Sequence, residues 1–300
     1  MEVSVILVNY NTNALLLKAI GAIYQFTDAA LSFEVLVVDN ASKESPAALL
    51  AQQFPQVIFI QSPANKGFGA ANNLAMQQAK GNYFFFLNPD AFLLSDAASF
   101  FVNKMKDTAY NNMAFCSGEL LNQQQQPNHC FGNFPSLFSG ISACGLMLFY
   151  VSYFRKHLAL GVANYDPLPK KVDYVSGAAF MVRAELVKLY GGFDEAFFLY
   201  FEETEWAYRL QQTGYYSMIV PDVKIIHIEG GSTEAGTNTV FNQRTFQLYA
   251  ESRQLFYKKT KGAFFAAIMK PLDMLQDLLR SIYHKEGNLF FTKLAILWKA

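Results

Sequence analysis

The sequence predicts an α/β fold: a mostly parallel central sheet flanked by helices, followed by C-terminal amphipathic helices. Three observations predict it. Four short apolar runs rich in β-branched and aromatic residues fall early in the chain: Ser4 to Val8, Glu34 to Val38, Val57 to Ile60 and Tyr83 to Leu87. They lack polar alternation, the mark of strands buried on both faces, and the stretches between them read as helices, giving the order β-α-β-α-β-α-β. Each run also stops at a polar cluster: Asn9-Tyr10-Asn11, Asp39-Asn40, Ser62 through Lys66, and Asn88-Pro89-Asp90. Parallel strands joined by crossover helices carry their carboxyl ends on one edge, where ligands bind in open α/β sheets. Asn9, Asp39, Asn65 and Asp90 are therefore expected to meet in one cleft.

Local signals place the elements in order. The first helix covers Ala14 to Phe26, with Thr12 or Asn13 as its cap. The second follows Ser42 or Ser45 and has Pro46 in its first turn. The third starts near Phe68, after Gly67, and runs through Gln78. The polar stretch Asn122 to Pro127 reads as a loop at a hairpin tip. Tyr174 to Val182 reads as another apolar strand. Glu203 to Thr213 reads as a short helix stopped by Gly214. Tyr216 to Val220 and Lys224 to Ile228 read as two strands, and Arg244 to Lys259 as a helix.

Composition narrows the class. The 300 residues are 52% hydrophobic with 29 Phe and 16 Tyr, ample for a core. Formal net charge is zero, which gives no electrostatic reason to expect nucleic-acid binding. The three cysteines are widely spaced and form no CxxC pair, which suits a reducing cytoplasm. Met1-Glu2-Val3 enters a strand at once, with no basic region of a secretory signal.

Charged residues make up only 16%, against a typical quarter, so a membrane-facing surface is one expectation. Phe131 to Phe154 holds no charged residue, but its glycines and serines make it weakly apolar for a span. It reads as a buried or interfacial segment. In the tail, Leu272, Leu275, Leu279 and Ile282 share a helical face, with Lys270, Arg280, His284 and Lys285 interspersed. Leu289 to Trp298 repeats the type. Such helices either lie in a bilayer interface or pack on the core. In the first case a chain ending near Lys261 should bind liposomes less.

Several residues carry chemistry. Asp39, at a strand end, either accepts a nucleobase N–H or caps the turn Asn40-Ala41-Ser42. Asp90 either holds Mg²⁺ or Mn²⁺ together with a diphosphate or closes an Asn-Pro-Asp turn. Lys66-Gly67-Phe68-Gly69 opens a helix, yet it follows the third strand and has Asn72 in its final place, unlike a dinucleotide fingerprint. Asp194, Glu195, Glu202, Glu203 and Glu205 crowd among aromatics. Desolvation there raises a carboxyl pKa and yields a usable general base. Glu202 and Glu203 can also serve simply as a charged first turn of a helix, and Glu205 and Arg209 are spaced for a helical ion pair. His227 either ligates a metal or donates to phosphate, as the backbone N–H groups and hydroxyls of the following Gly230-Gly231-Ser232-Thr233 can also do, or is structural.

Together these residues resemble the family 2 glycosyltransferases, in particular their rhamnosyltransferase-like branch. The resemblance runs through Ser4–Asn11, Val37–Ser42, Asn65–Asn72, Leu87–Asp90, Ser176–Arg183, Gly191–Glu195, Tyr200–Glu203 and His227, covering roughly residues 3 to 235. It implies the A-type glycosyltransferase fold, with a Rossmann-like sheet. In it, Asp39 would hold the base, and Asn9 and Asn11 would contact base or ribose. Tyr10, Asn65, Lys66, Gly67, Asn88, Asp90 and Gly177 would complete the donor site, Gly177 bordering the acceptor. Asn88-Pro89-Asp90 would stand for the family's D-x-D motif, with Asn88 replacing its first acid. Asp90 and His227 would hold Mg²⁺ or Mn²⁺. Glu203 would be the catalytic base, with Glu202 beside it, and reaches one methylene further than the family's Asp.

The resemblance implies inverting transfer of a sugar, rhamnose among the candidates, from a dTDP- or UDP-linked donor. The saccharide acceptor would be lipid-linked, in cell-surface polysaccharide synthesis. Residues 1–95 would form the nucleotide-sugar half, 96–240 the acceptor and catalytic half, and 241–300 a helical, membrane-associating segment. The chain would work in the cytoplasm, peripheral on the inner face of the plasma membrane. Two rivals are a nucleotidyltransferase, which lacks its Gly-rich basic loop here, and a non-catalytic sugar-nucleotide or lipid-binding protein.

Overall fold

A computed structural model describes residues 1–228, 241–283 and 289–300. The first half follows the expected alternation: β1 (Val3–Asn9), α1 (Asn13–Phe26), β2 (Phe33–Asp39), α2 (Ala47–Gln53), β3 (Ile58–Gln61), α3 (Phe68–Met76) and β4 (Tyr83–Leu87). All seven residues of β1 and all five of β4 are buried, which is why neither alternates. Helix α1 buries Leu16, Ala19, Ile20 and Ile23, an i, i+3, i+4, i+7 stripe. Thr12 occupies its N-cap, but its hydroxyl donates to Asn9 Oδ1 rather than capping the helix. Helix α2 begins directly after Ser45-Pro46, with Pro46 at its N-cap and no side-chain cap, while the Ser42 hydroxyl donates to Asp39.

The chain continues through β5 (Ala91–Leu93), α4 (Ala97–Lys106), β6 (Met113–Leu121), β7 (His129–Gly132), α5 (Leu137–Ala143), α6 (Val151–His157), β8 (Val162–Ala163), β9 (Lys170–Val172) and β10 (Tyr174–Val175). It then forms β11 (Ala179–Arg183), α7 (Ala184–Tyr190), α8 (Glu202–Gln211), β12 (Tyr216–His227), α9 (Gln243–Lys261), α10 (Ala263–Tyr283) and α11 (Leu289–Lys299). The main sheet has the order β3-β2-β1-β4-β11-β6-β12-β5, with β9 also on β12; β10, β7 and β8 make a small second sheet. Strands β3, β2, β1 and β4 are parallel, while β11 joins β4 antiparallel, Ala179 facing Leu87.

Two strand expectations need correction. Tyr174 to Val182 is not one strand: Ser176-Gly177-Ala178 breaks it, and its two pieces enter different sheets. Conversely, Tyr216 to His227 is one strand, whose register slips between Val220 and Lys224. Pro221 lies at that slip, where a missing N–H leaves no gap in the ladder.

Aromatic side chains cement the halves. Trp206 of α8 is fully buried and meets Phe86 of β4, Phe115 of β6, Phe180 of β11 and Phe193 at centroid distances of 4.7–6.5 Å. A second apolar cluster joins Phe197 and Phe201 to Phe256 and Tyr257 of α9 and Met269 of α10. Within it, Arg253 and Asp273 form a buried ion pair of 3.1 Å that fastens α9 to α10. Among the described residues no helix is long and apolar enough to cross a membrane. His284 and Lys285 of the expected basic stripe lie outside the described residues.

Candidate active site

The in-register pairing of β1 with β2 sets Asn9 beside Asp39, both fully buried. Asp39 Oδ1 accepts from Asn9 Nδ2 at 2.8 Å and from Ser42 Oγ at 2.6 Å. Its Oδ2 accepts from the Ser42 amide and from Gln61 Nε2. Ala41, at φ +62°, turns the chain back so that Ser42 can reach. Asp39 is thus both a strand-end carboxylate and the organiser of its own turn. Asn11, at φ +58°, accepts from the Lys43 amide through its side chain, and its own amide donates to Ser42 Oγ.

Asn40, which the motif reading passed over, joins the third strand's loop to this hub. Its amide nitrogen donates to Asn65 Oδ1 and to the Gly67 carbonyl. Lys66 is exposed, and its backbone N–H donates to Asn40 Oδ1. Gly67 has φ +95°, and a Cβ there would lie 2.1 Å from the Phe198 carbonyl oxygen. Only glycine fits that crossing of the two halves.

A cleft of about 890 Å³ opens above these strand ends. Tyr10, Asn65, Gly67, Asn88 and Asp90 face it, whereas Asn9 and Asp39 are buried. Its opposite wall is Phe198 to Tyr200 with Phe241, Arg244 and Leu248 around the start of α9; apart from Tyr200, which begins the Tyr200–Glu203 stretch, no local motif marks it.

Asn88-Pro89-Asp90 closes as a turn, the Ala91 amide donating to the Asn88 carbonyl. Strand β12 ends against β5 with His227 opposite Ala91, which brings His227 Nε2 to 3.5 Å from Asp90 Oδ1. His227 Nδ1 and Asn88 Oδ1 are buried and have no hydrogen-bond partner among the described residues. The described residues hold no cluster of three or more His, Cys, Asp or Glu for a metal. Carboxylate, imidazole and an orphan amide oxygen nevertheless fit a Mg²⁺- or Mn²⁺-sized cation that takes its remaining oxygens from phosphate and water. Residues 229–233, expected to add backbone and hydroxyl donors, lie outside the described residues.

The acidic run resolves into separate roles. Glu205 and Arg209 form the expected pair at 3.1 Å, and Arg209 also donates to the Gly192 carbonyl. Asp194 accepts from the Ala196 amide and pairs with Lys259 of α9. Glu202 and Glu203 open α8 after Tyr200 and Phe201, two aromatic residues at φ +68° and +65°. Such conformations cost about 1–3 kcal/mol each and persist only where neighbours enforce them. Here Ser252 Oγ holds the Leu199 carbonyl at 2.7 Å, Tyr249 packs on both rings, and Phe256 packs on Phe201.

Burial raises the pKa of both glutamates, and the neighbouring charge of Glu203 pushes Glu202 further up. Glu203 is pushed up to about 7 by burial, against hydrogen bonds from its own amide and from Thr204 and Gly177. Gly177 lies so close that a Cβ there would be 3.6 Å from the Glu203 carboxyl carbon. The next residue, Ala178, accepts from the Asn88 amide at 2.8 Å. The break in the expected strand therefore ties the Glu203 carboxyl to the Asp90 turn.

Comparison with known proteins decides the family: residues 4–188 match the model described as glycosyl transferase family 2. The chain belongs to that family. An N-acetylglucosaminyl-diphospho-decaprenol L-rhamnosyltransferase of Mycobacterium tuberculosis is 25% identical over 254 residues, 76% of each chain. The rhamnosyltransferase WbbL of Escherichia coli K12 is 26% identical over 208 residues, 63% of this chain and 72% of that relative. Among solved structures, GalNAc-T7 with UDP, GalNAc and Mn²⁺ matches with TM-score 0.59 at 14% identity, over 86% of this chain and half of that one. The mannosyltransferase PcManGT from Pyrobaculum calidifontis, with GDP-Man and Mn²⁺, matches with TM-score 0.56 at 16% identity, over 99% of this chain and 84% of that one. This glycosyltransferase therefore has the A-type fold and rhamnosyltransferase-like relatives. The family match stops before Glu202 and Glu203, so their assignment rests on geometry.

Proposed function

We propose that this family 2 glycosyltransferase transfers a sugar, with inversion, from a nucleoside-diphosphate donor to a saccharide carried on a lipid. The observation that carries it is the linkage just described: a half-buried carboxyl, Glu203, joined through Gly177-Ala178 to the Asn88-Pro89-Asp90 turn at the mouth of the donor cleft. Glu203 takes the proton of an acceptor hydroxyl as that oxygen attacks the anomeric carbon from the face opposite the leaving group. A pKa raised by burial suits a base working near neutral pH.

Asp90 and His227 would hold Mg²⁺ or Mn²⁺, with Asn88 adding an oxygen. A bound divalent ion offsets charge on a departing diphosphate. Asp39 selects the base by exchanging one of its present donors, Gln61 or Ser42, for the imide N–H of uracil or thymine, which favours UDP- or dTDP-linked donors. Asn9, Tyr10, Asn11, Asn65, Lys66 and Gly67 shape the nucleotide side within residues 1–95. Residues 96–240 present acceptor and base. The names of the bacterial relatives support rhamnose as the sugar and a lipid-linked acceptor, and hence action at the cytoplasmic face of a membrane.

The first test is thermal stabilisation by dTDP, UDP, GDP and NAD, each with and without Mn²⁺. A Mn²⁺-dependent shift with dTDP or UDP is expected. A shift with GDP alone would overturn the role of Asp39, and no shift with any diphosphate would overturn the donor site.

A further inference from the structure

We infer that α5, the turn after it, α6 and the adjoining stripe of α10 form a docking surface for an anionic lipid bilayer. It stands apart from the residues assigned to transfer. Phe138 is 54% exposed, Ile141 47%, Leu148 73%, Phe149 86% and Tyr153 54%. So many large apolar side chains in one short stretch are not scattered surface residues, and such patches mark interaction sites. Helix α5 does bury one face: a Cβ on Gly140 would lie 2.8 Å from Met269 and 3.4 Å from Leu272 of α10. Cys144 Sγ also donates to the Leu272 carbonyl at 3.4 Å.

The stripe of α10 that carries Leu272 continues outward through Leu275, Leu279 and Ile282, the last 65% exposed. The two apolar faces are therefore neighbours, while α10 turns Ala266, Met269 and Asp273 inward.

Charge decides between occupants. From Phe131 to Tyr165 there is no Asp or Glu, and Arg155, Lys156 and His157 form the last turn of α6, all exposed. Arg280 is exposed beside Leu279. An apolar face bordered by cations complements an anionic headgroup layer with acyl chains beneath it. Helices α5 and α6 have seven residues each, far short of the ~20 needed to span a bilayer. They are suited to enter its boundary by about 5–10 Å. The surface thus lies in mid-chain, and α10 supports it instead of acting as a separate anchor.

The test is flotation of the full chain with phosphatidylcholine vesicles, with and without phosphatidylglycerol. The wild type should float with the anionic vesicles and lose that binding at high salt. Leu148→Ser with Phe149→Ser should weaken flotation at least about tenfold, and Arg155→Gln with Lys156→Gln should remove its salt sensitivity. Both pairs should leave the nucleotide thermal shift unchanged, so failure here and failure of the transfer reading are separable. Should the serine pair fold poorly, the glutamine pair carries the test alone. Absence of wild-type flotation, or unchanged flotation of the variants, would overturn the inference. So would a wild-type dimer that the serine pair dissociates in light scattering, which would make the patch a contact between copies.

Discussion

Ser252 Oγ donates a 2.7 Å hydrogen bond to the carbonyl of Leu199, two residues before the second member of the left-handed pair that delivers Glu202 and Glu203. A helix beyond the matched family region thereby fixes the conformation of the segment carrying the proposed base. Ser252→Ala leaves that carbonyl without its partner, a loss of about 1 kcal/mol. Turnover should fall by up to about tenfold with donor affinity unchanged, and Ser252→Thr should restore part of it. Steady-state kinetics at saturating donor, beside calorimetric nucleotide binding, would separate this from general destabilisation.

Glu203→Gln should lower turnover by about 10²- to 10⁴-fold, the usual contribution of a positioned base, while donor binding persists. Full turnover in this variant would transfer the role to Glu202, its buried neighbour.

The raised pKa of Glu203 gives two opposite pH trends. Activity needs the ionised carboxyl and should rise as pH passes through about 7. Stability runs the other way. The folded state binds this proton more tightly than the unfolded chain, whose value is near the ordinary 4.5. The stabilisation is fully present below about 4.5 and is lost as pH rises through the folded value. Glu203→Gln should therefore raise Tm at pH 8 relative to wild type and leave it nearly unchanged at pH 4, measured by scanning calorimetry.

His227→Ala should weaken Mn²⁺-dependent nucleotide binding and leave any metal-independent component intact. Titration of UDP or dTDP at several Mn²⁺ concentrations would read this directly. An unchanged Mn²⁺ dependence would remove His227 from the proposed metal site.

Asp39→Ala strips acceptors from Asn9, Ser42 and Gln61 at once. Asn9 keeps Asn13 and Ser42 as acceptors and Gln61 keeps two backbone carbonyls, so the main loss is the partner of the Ser42 hydroxyl, about 1–3 kcal/mol. Both Tm and nucleotide affinity should fall, with turnover at saturating donor nearly preserved. A loss confined to turnover would contradict the base-binding role.

The parallel half was legible because buried parallel strands leave uninterrupted apolar runs, and because their polar ends mark one sheet edge. Asp90 and His227 are 137 positions apart in sequence and meet only because β12 pairs with β5. The break at Ser176-Gly177-Ala178 was hidden, since an apolar stretch with one glycine looks like a single strand until its ends join different sheets. Nor does anything local announce Tyr200 and Phe201 as left-handed; aromatic residues are poor candidates for positive φ, and only tertiary contacts with α9 impose it. The saturation of Asp39 was equally silent, because Gln61 reaches it through the register of β3 on β2.

The brace from α9 also orders events during synthesis. Strands β1 to β4 and the turn at Asp90 leave the ribosome first, and α8 with its two glutamates follows. Ser252 and Tyr249 come some fifty residues later. Until they arrive, nothing compels Tyr200 and Phe201 into their unfavourable geometry. A nascent chain can thus acquire the nucleotide side before it can do chemistry, and catalytic competence is among the last properties translation confers.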